Sequence, residues 1–374
     1  MTFVASENPM PPDNPNPARI QNLDSLRGVA ALSVLLYHYT QRFGDIFPDL
    51  PKPAISLSRG FFGVHLFFVI SGFVIALTLT KTGHVFNFIR NRFFRLYPTY
   101  WVALVITFTL VTFWPLPDRV RNFHELLVNV TMIQHWLDVK HIDGVYWTLS
   151  LELAFYVWMA VLLSLRLLTE EKGKYVLVGW MLLIVGYFQF GDPKFVYDST
   201  ILENILLLRY GHLFFAGMAL YFWHQNRKSP IWKIVILCLG LVVQYQTFQW
   251  EGVLILLAIY SVFLGVVIRP LVPLTFKPLL WLGTISYSLY LCHQYVGYIL
   301  LRYGYTVLHL RPAVNISLTI SLCVGLAALL HYLVEQPAVN LGKRLSKQVR
   351  SISFSVPANR GAGVRVAGAR FGDA

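Results

Sequence analysis

The chain has 374 residues, of which 56% are hydrophobic and 13% are charged, and its formal net charge at pH 7 is +13. Soluble domains carry about 25% charged residues, so the composition excludes a soluble protein and indicates a polytopic membrane protein. Lys and Arg are concentrated in loops and in the C-terminal tail, as cytoplasmic retention requires, so the charge does not indicate a nucleic-acid partner. The three cysteines lie in apolar stretches and provide neither a disulfide framework nor metal-ligand spacing.

Ten apolar runs are long enough to span a bilayer. They cover residues 23–42, 60–80, 96–114, 145–167, 174–190, 202–223, 231–248, 252–269, 279–301 and 313–334. The run 202–223 is the weakest, because it contains Glu203, Arg209 and His212. Residues 120–137 are too interrupted to span and are predicted to form an amphipathic helix at the membrane surface. The sequence therefore predicts an all-α membrane protein with about ten transmembrane helices.

The distribution of Lys and Arg predicts that both termini lie in the cytoplasm. Loops 81–95 and 224–233 are rich in basic residues, whereas the alternate loops 191–201 and 249–251 have one basic residue and none. An even number of spans then places both chain ends on the basic side.

Two tails flank the predicted membrane domain, which covers residues 23–337. Residues 1–22 are polar and rich in Pro and Asn, and residues 338–374 are basic. Both compositions are typical of disordered segments, so the sequence predicts a disordered N-terminal tail and a disordered cytoplasmic C-terminal tail.

The first apolar run carries two ionisable residues on one helical face. Arg27 and His38 are eleven residues apart, which is nearly three turns and about 16 Å along a helix axis. Ionisable groups at membrane depth are costly and usually face a cavity or a partner. Each residue alone is explained by a flanking charge or an interhelical hydrogen bond. Together they predict one wall of a polar channel, with Arg27 near the cytoplasmic surface and His38 deep inside.

A carboxylate lies within the fourth apolar run, in the stretch YWTLSLE of residues 146–152. Glu152 has no Lys or Arg within a helical turn, so its partner must come from another helix. In the predicted topology Glu152 and His38 lie at similar depth. We therefore expect these two side chains to meet, as a general base and an orienting carboxylate do.

Two arginines share one face of the stretch RNRFFRLYP, residues 90–98. Arg92 and Arg95 are explained equally well as positive anchors at the cytoplasmic surface or as a clamp for phosphates, which guanidinium groups bind in a bidentate manner. With Arg27 at the same surface, three guanidinium groups could converge on a polyanionic donor such as coenzyme A.

Three further stretches have weaker signals. Gly60, Gly63 and Gly72 in GFFGVHLFFVISGF permit close approach of another helix. His293 in ISYSLYLCH fits a hydrogen-bonding core histidine as well as a catalytic one. Glu335 in HYLVEQP lies at the cytoplasmic border, where a helix cap or a salt bridge to a basic loop explains it.

The six stretches together resemble the membrane acyltransferase 3 family. LDSLRGVAALSVLLYH, GFFGVHLFFVISGF, RFFRLYP, WTLSLE, SYSLYLCH and HYLVEQP occur in the family's order and spacing over nearly all of residues 20–340. Members are integral-membrane enzymes that commonly O-acetylate glycans and other envelope or secreted molecules. The resemblance implies a membrane acyltransferase domain over residues 23–337.

The resemblance also implies site residues. Arg27 and His38 match the essential arginine and histidine of the family's first helix, and Arg92 and Arg95 match its R-x-x-R motif, which is associated with the acyl donor. Glu152 matches the acidic residue of the family's W-[ST]-L-x-x-E motif, which Trp147 leads. His293 matches the histidine after its S-Y-S-x-Y-L run, a position that is less uniform in the family. His65 departs from the family, because many relatives have an acidic residue there, and we do not expect it to be catalytic.

These implications give a mechanism as an expectation. An acyl-CoA, with acetyl-CoA as the first choice, docks at the cytoplasmic face against Arg92 and Arg95, with Arg27 at the channel mouth. His38 then acts as general base with Glu152 as its partner, or carries the acyl group covalently. The acceptor is a hydroxyl of a glycan, a lipid-linked sugar or a small molecule. No cofactor is expected to stay bound, and no metal.

The expected location is a bacterial inner or plasma membrane, crossed several times. A transporter or flippase of a polar or lipid-linked substrate is the competing interpretation, because buried Arg, His and Glu also mark substrate and proton pathways. A purely structural or sensory membrane protein is a third.

Overall fold

The computed structural model describes residues 17–82, 84–190, 200–268 and 274–355, and every regular element in these ranges is helical. The principal helices are α1 Pro17–Tyr37, α2 Gly63–Thr82, α3 Val85–Phe113, α4 Phe123–Val130, α5 Trp147–Ser164, α6 Glu170–Phe190, α7 Thr200–Ile205, α8 Gly211–Gln225, α9 Ile231–Phe263, α10 Lys277–Thr284, α11 Ser286–Cys292, α12 Gln294–Thr306, α13 Pro312–Leu330 and α14 Gln336–Ser355. Shorter turns are the 3-10 segments Ser58–Phe62, Gln134–Leu137 and Gly144–Tyr146, the π segments His38–Arg42, Leu264–Ile268 and His331–Glu335, and the helical turn Phe43–Ile46. The predicted all-α class is confirmed for the described residues.

Six helical stretches of the described chain are long and apolar enough to cross a membrane. They are Ser58–Thr80, Val85–Phe113, Gly144–Ser164, Glu171–Phe190, Ile231–Ile268 and Pro312–Ser346. The chain is therefore a multi-pass helical membrane protein by length and composition. The number of ten spans and the cytoplasmic placement of both termini stay predictions.

Helix α9 contains a sharp reversal. Gln249 has φ 55° and ψ −154°, which is not helical. A Cβ added at Gly240 would lie 2.7 Å from the Tyr260 hydroxyl, although twenty residues of straight helix would separate these positions by about 30 Å. Residues 231–263 thus fold back on themselves at Gln249, which agrees with the predicted spans 231–248 and 252–269.

Helix α3 begins earlier than the sequence suggested. The predicted loop 81–95 is helical from Val85 onward, and the helix continues through Pro98 to Phe113. Proline removes one backbone hydrogen bond and crowds the preceding turn. For this reason the sequence predicted that a new span begins near Pro98. Arg92 and Arg95 consequently lie on a long continuous helix rather than on a short one.

Two predicted spans are broken. The run 202–223 divides at Leu207, whose φ is 56°, and resumes as α8, which has 15 residues and is buried over most of its length. The run 279–301 divides into α10, α11 and α12, with breaks at Ile285 and His293. Hydropathy does not reveal these breaks, because the run 279–301 stays largely apolar and the charged residues of the run 202–223 do not show where it divides.

The predicted surface helix at 120–137 is confirmed in part. Helix α4 begins after Asn122, whose side chain accepts from the backbone N–H of Glu125 while the Glu125 carboxylate accepts from the N–H of Asn122. This reciprocal capping box satisfies two backbone donors at the helix start. The segment then continues as a 3-10 turn, Gln134–Leu137, rather than as one helix.

Helices extend into the ranges of both predicted tails. Helix α1 begins at Pro17, inside the predicted tail 1–22, and α14 continues to Ser355, inside the predicted tail 338–374. The basic segment is helical because α3 offers it a packing surface: the Ser346 hydroxyl donates to the Asn91 side chain at 2.9 Å. Residues 1–16 and 356–374 lie outside the described residues.

Helices pack closely at positions where a glycine leaves no side chain between the two backbones. At Gly72 on α2 an added Cβ would overlap the Phe214 carbonyl oxygen, and at Gly217 on α8 it would overlap the carbonyl of Val69. Backbones that approach this closely gain dispersion contacts in the bilayer, where the hydrophobic effect does not drive helices together. The predicted packing role of Gly72 is confirmed, and α2 and α8 pack closely against each other in the core.

Candidate active site

Three arginines and one glutamate line a single cavity, which we call the arginine cavity. Arg27 comes from α1, Arg92 and Arg95 come from α3, and Glu152 comes from α5. The remaining lining residues are Val64, Phe67, Phe68, Ile70, Ser71, Val74, Ile75, Leu96, Thr148, Leu149, Tyr156, Ser286, Tyr287 and Tyr290. The predicted convergence of the three guanidinium groups is therefore present.

Arg92 is held by one hydroxyl and two aromatic rings. Its Nη2 donates to Thr78 Oγ1 at 3.1 Å. The guanidinium carbon lies 5.8 Å from the centroid of Phe88 and 5.6 Å from that of Tyr156. Its Nε is buried and has no hydrogen-bond partner. The guanidinium thus keeps unused donor capacity beside the cavity.

Arg95 is held by a buried carboxylate. Its Nη1 donates to Glu335 Oε1, and its guanidinium carbon lies 5.3 Å from the centroid of Tyr287. Glu335 Oε2 also accepts from Ser288 Oγ at 2.7 Å and lies 3.0 Å from His331 Nδ1. The salt bridge predicted for Glu335 is confirmed, and its effect is to fix the direction of the Arg95 side chain.

Glu152 faces the arginine cavity and not His38. Its Oε1 accepts from Ser71 Oγ at 3.1 Å and from the hydroxyl of Tyr156. His38 instead pairs through Nδ1 with the hydroxyl of Tyr298 and lines a second cavity. The predicted pairing of Glu152 with His38 is wrong, because similar depth along two helices does not determine the face from which each side chain projects.

The second cavity is lined by His38. We call it the histidine chamber. Its lining residues are Val34, Tyr37, His38, Arg42, Phe61, Val64, His65, Arg119, Gly144, Val145, Trp147, Tyr210, Tyr290, Gln294 and Tyr295. Val64 and Tyr290 also line the arginine cavity, so these two side chains form a shared wall between the two cavities.

His38 is the first residue of the π segment that follows α1. Such single-turn π segments often occur at functional sites, because the extra residue changes the direction of a side chain. The imidazole is 9% exposed, and its Nδ1 lies 2.8 Å from the Tyr298 hydroxyl. With Nδ1 engaged, Nε2 is the ring nitrogen that remains for a substrate.

His293 lies beside His38, with ring centroids 5.0 Å apart. It marks the break between α11 and α12, and its Nδ1 lies 2.9 Å from the carbonyl oxygen of Tyr290. A carbonyl only accepts, so Nδ1 carries a proton, and in the neutral ring Nε2 is an acceptor. That Nε2 is buried without a partner. The structure thus brings His293 to the neighbourhood of His38, which the sequence alone did not indicate.

Two other sequence candidates line the histidine chamber. Trp147 begins α5, and its ring centroid lies 5.1 Å from that of Tyr210. His65 is 2% exposed, lies among aromatic rings, and has no hydrogen-bond partner at either ring nitrogen. The absence of His65 from the catalytic set stays a prediction.

The buried carboxyl group of Asp143 connects two backbone segments next to the chamber. Asp143 accepts from the backbone N–H of Val145 and of Tyr295, each at 3.1 Å, and so joins the start of α5 to the start of α12. Asp143 precedes the apolar stretch Gly144–Ser164 and is fully buried. Burial raises the pKa of its carboxyl to about 7, because the charged form loses hydration.

Several partners of the site residues were not predicted. Tyr156 follows Glu152 by four residues, a spacing that places two side chains together on a helix, so this pair was available from the sequence. Tyr298 had no such signal, because the helix break at His293 changes the direction of the chain before it. Arg119 lies on a loop, and no periodic pattern connects it to the chamber.

Comparisons with known proteins identify the family of the chain. The sequence profile of the acyltransferase 3 family, described as an acyltransferase domain, matches residues 20–332. The chain is 28% identical over 325 residues to the peptidoglycan O-acetyltransferase OatA of Listeria monocytogenes, which covers 73% of this chain and 49% of the relative. It is 26% identical to the putative peptidoglycan O-acetyltransferase YrhL of Bacillus subtilis, with 73% and 48% coverage.

A further relative, the putative O-acetyltransferase SACOL0978 of Staphylococcus aureus, is 26% identical over 366 residues, which are 85% of this chain and 57% of that protein. The chain thus spans about half the length of the curated relatives it matches. No solved structure matches it. The profile match covers most of the chain and includes both cavities, and the chain therefore belongs to the acyltransferase 3 family.

Proposed function

We propose that the protein is a membrane O-acyltransferase that moves an acyl group, acetyl in the first instance, from acyl-CoA to a hydroxyl of a glycan. The observation that carries the proposal is the shared wall of Val64 and Tyr290 between an arginine cavity and a histidine chamber. Relatives named O-acetyltransferases support the acetyl group, and those named for peptidoglycan support a glycan acceptor of that kind.

The arginine cavity is the proposed donor site. Coenzyme A carries several phosphate charges, and guanidinium groups bind phosphate oxygens by paired, charge-assisted hydrogen bonds. Arg92 has a donor without a partner, and Arg95 is held in place by Glu335. With Arg27 on α1, the cavity lining contains three guanidinium groups and the Glu152 carboxylate, and Glu335 pairs with Arg95 from outside the lining.

Glu152 has a positioning role in this proposal. Its carboxylate accepts the Tyr156 hydroxyl, and the Tyr156 ring lies under the guanidinium of Arg92. Neutralising Glu152 would release Tyr156 and thereby Arg92. The carboxylate therefore supports the donor site rather than the imidazole of His38.

The acyl step takes place at the shared wall. The acceptor hydroxyl gives its proton to His38 Nε2 as its oxygen bonds to the thioester carbonyl carbon. The carbon–sulfur bond breaks, and the coenzyme A thiolate receives the proton back from the imidazolium. An acyl-His38 intermediate uses the same nitrogen and splits this transfer into two steps, which would carry the acyl group towards an acceptor on the outer side.

Release of free thiol distinguishes this function from transport. We would incubate the protein in lipid nanodiscs with acetyl-CoA, with and without peptidoglycan fragments, and measure free coenzyme A thiol. Acceptor-dependent release by the wild type that is lost in His38→Gln supports the proposal. Arg59→Gln is the matched control, because Arg59 lies in the turn before α2 with an exposed side chain and lines neither cavity. Transport of labelled fragments without thiol release would contradict the proposal.

A further inference from the structure

The charged residues that line the histidine chamber are both arginines. Arg42 and Arg119 line it, and no Asp or Glu does among the described residues. The Arg119 guanidinium lies 5.6 Å from the ring centroid of Tyr295, and its Nε is buried without a hydrogen-bond partner. The chamber therefore has a positive wall with donor capacity that the protein itself does not use.

Nearby carboxylates offset only part of this charge, and the offset includes the attraction between Asp143 and Arg119. Asp45 lies 4.0 Å from Arg42, but both side chains are about half exposed, and such pairs are screened by water. Asp143 is fully buried behind the lining, and its two oxygens accept backbone N–H groups. An anion in the chamber would thus meet two guanidinium groups without a facing carboxylate.

The rest of the lining suits a sugar. Aromatic rings surround the chamber, and they offer flat faces to the C–H face of a pyranose. These rings belong to Tyr37, Phe61, Trp147, Tyr210, Tyr290 and Tyr295. Two buried polar side chains in the lining have atoms without partners, namely Gln294 Oε1 and both ring nitrogens of His65. Buried polar groups normally form hydrogen bonds, so these atoms indicate a hydroxyl-bearing ligand.

We propose that the acceptor is a sugar that carries a carboxylate, and that Arg42 and Arg119 bind this carboxylate. The sugar hydroxyls bond to Gln294 and His65, and the ring lies against the aromatic wall. This inference rests on the proposed function, because it identifies the acceptor class of the same site. Fixing the carboxylate at the two arginines would orient one hydroxyl towards His38, so charge recognition would also select the position that is acylated.

Direct binding tests this proposal without an acyl donor. The probes are the disaccharide N-acetylglucosaminyl-N-acetylmuramic acid with a free lactyl carboxylate and the methyl ester of the same disaccharide. Their affinities for the full-length protein in nanodiscs would be measured by calorimetry at fixed ionic strength. The acid should bind about tenfold or more tightly than the ester, because hydrogen bonds to a charged group are stronger than those to a neutral ester.

The double variant Arg42→Gln, Arg119→Gln should bind the acid no better than the ester and should keep the wild-type affinity for the ester. Retained ester binding also shows that the variant is folded. Arg59→Gln removes a guanidinium outside the chamber and should keep the tenfold preference. Equal wild-type affinities for acid and ester, or no binding of either, would overturn the proposal.

The outcome is separable from that of the proposed function. Thiol release with a neutral sugar, combined with equal binding of acid and ester, would refute the carboxylate site and leave acyl transfer intact. A strong preference for the acid without any thiol release would keep the carboxylate site and refute acyl transfer.

Discussion

His38 Nδ1 and the Tyr298 hydroxyl lie 2.8 Å apart, although the two residues are separated by 260 positions in the sequence. The hydrogen bond joins the π segment after α1 to helix α12. It fixes the orientation of the imidazole and directs Nε2 away from Tyr298. For a general base, this orientation matters as much as basicity, because the proton must lie within hydrogen-bond reach.

Removing this hydrogen bond should lower kcat without changing the KM for the acyl donor. In Tyr298→Phe we expect kcat to fall about 10- to 100-fold, since a hydrogen bond to a group that becomes charged contributes about 1.5–3 kcal/mol. The KM for acetyl-CoA should not change. Tyr303→Phe on the same helix is the control, because Tyr303 is exposed. An unchanged kcat in Tyr298→Phe would show that the bond does not position the base.

The arginine cavity should govern donor affinity. Replacing Arg92 and Arg95 by Gln should raise the KM for acetyl-CoA about tenfold or more, because each replacement removes a charge-assisted hydrogen bond, while the KM for the acceptor stays the same. The control is Arg90→Gln, since Arg90 lies on the same helix but bonds to Asn87 and Ser346 outside the cavity. An unchanged KM for acetyl-CoA in the double variant would show that Arg92 and Arg95 do not bind the donor and serve only as positive anchors at the membrane surface.

Close packing of α2 on α8 should be sensitive to one methyl group. In Gly72→Ala the new Cβ would overlap the Phe214 carbonyl oxygen, and overpacking of this kind costs about 1–3 kcal/mol. The apparent Tm in detergent should therefore fall. Gly325→Ala in α13 meets no atom within 4 Å and should leave Tm unchanged or raise it, because Ala favours helix. Equal effects of both replacements would contradict the packing found here.

The buried Asp143 carboxyl should make stability depend on pH. Burial raises its pKa from the ordinary value of 3.8 to about 7, so the folded chain holds the proton more tightly than the unfolded chain does. Its contribution to stability is present at low pH and is lost as pH rises towards about 7. The Tm of the wild type minus that of Asp143→Asn should accordingly fall between about pH 5 and pH 7.

Subtracting the Tm of Asp143→Asn from that of the wild type cancels the effects of all titrating groups that the two proteins share. Asp138→Asn is the matched control, because Asp138 lies on the same loop region with a left-handed backbone that Asn also tolerates. A difference between wild type and Asp143→Asn that stays constant over this pH range would show that the Asp143 carboxyl does not change its charge there.

The place of a residue along the chain's helices was easier to predict than the direction in which its side chain projects. The convergence of Arg27, Arg92 and Arg95 followed from their common surface in the sequence, and the reversal at Gln249 followed from a polar interruption between two apolar runs. The partner of Glu152 did not follow, because the predicted depth pointed to His38 whereas the Glu152 side chain contacts Tyr156.

Breaks inside apolar segments were also hidden from the sequence. The interruption at His293 occurs within a continuous apolar run, and it brings His293 and Tyr298 towards His38. Arg119 reaches the chamber from a loop whose path depends on tertiary packing. The sequence therefore indicated the three arginines and Glu152 of the arginine cavity, but only His38, His65 and Trp147 of the chamber, with His293 beside it.

The most direct measurement compares envelope glycans from cells that carry the wild-type protein, His38→Gln or no protein, by mass spectrometry, with equal amounts of both proteins confirmed in the membrane. Acyl transfer through His38 predicts a mass gain of one acetyl group, about 42 Da, in the wild type alone, because His38→Gln retains volume but loses the proton acceptor. The same mass gain in His38→Gln would contradict the central claim that His38 Nε2 performs the transfer.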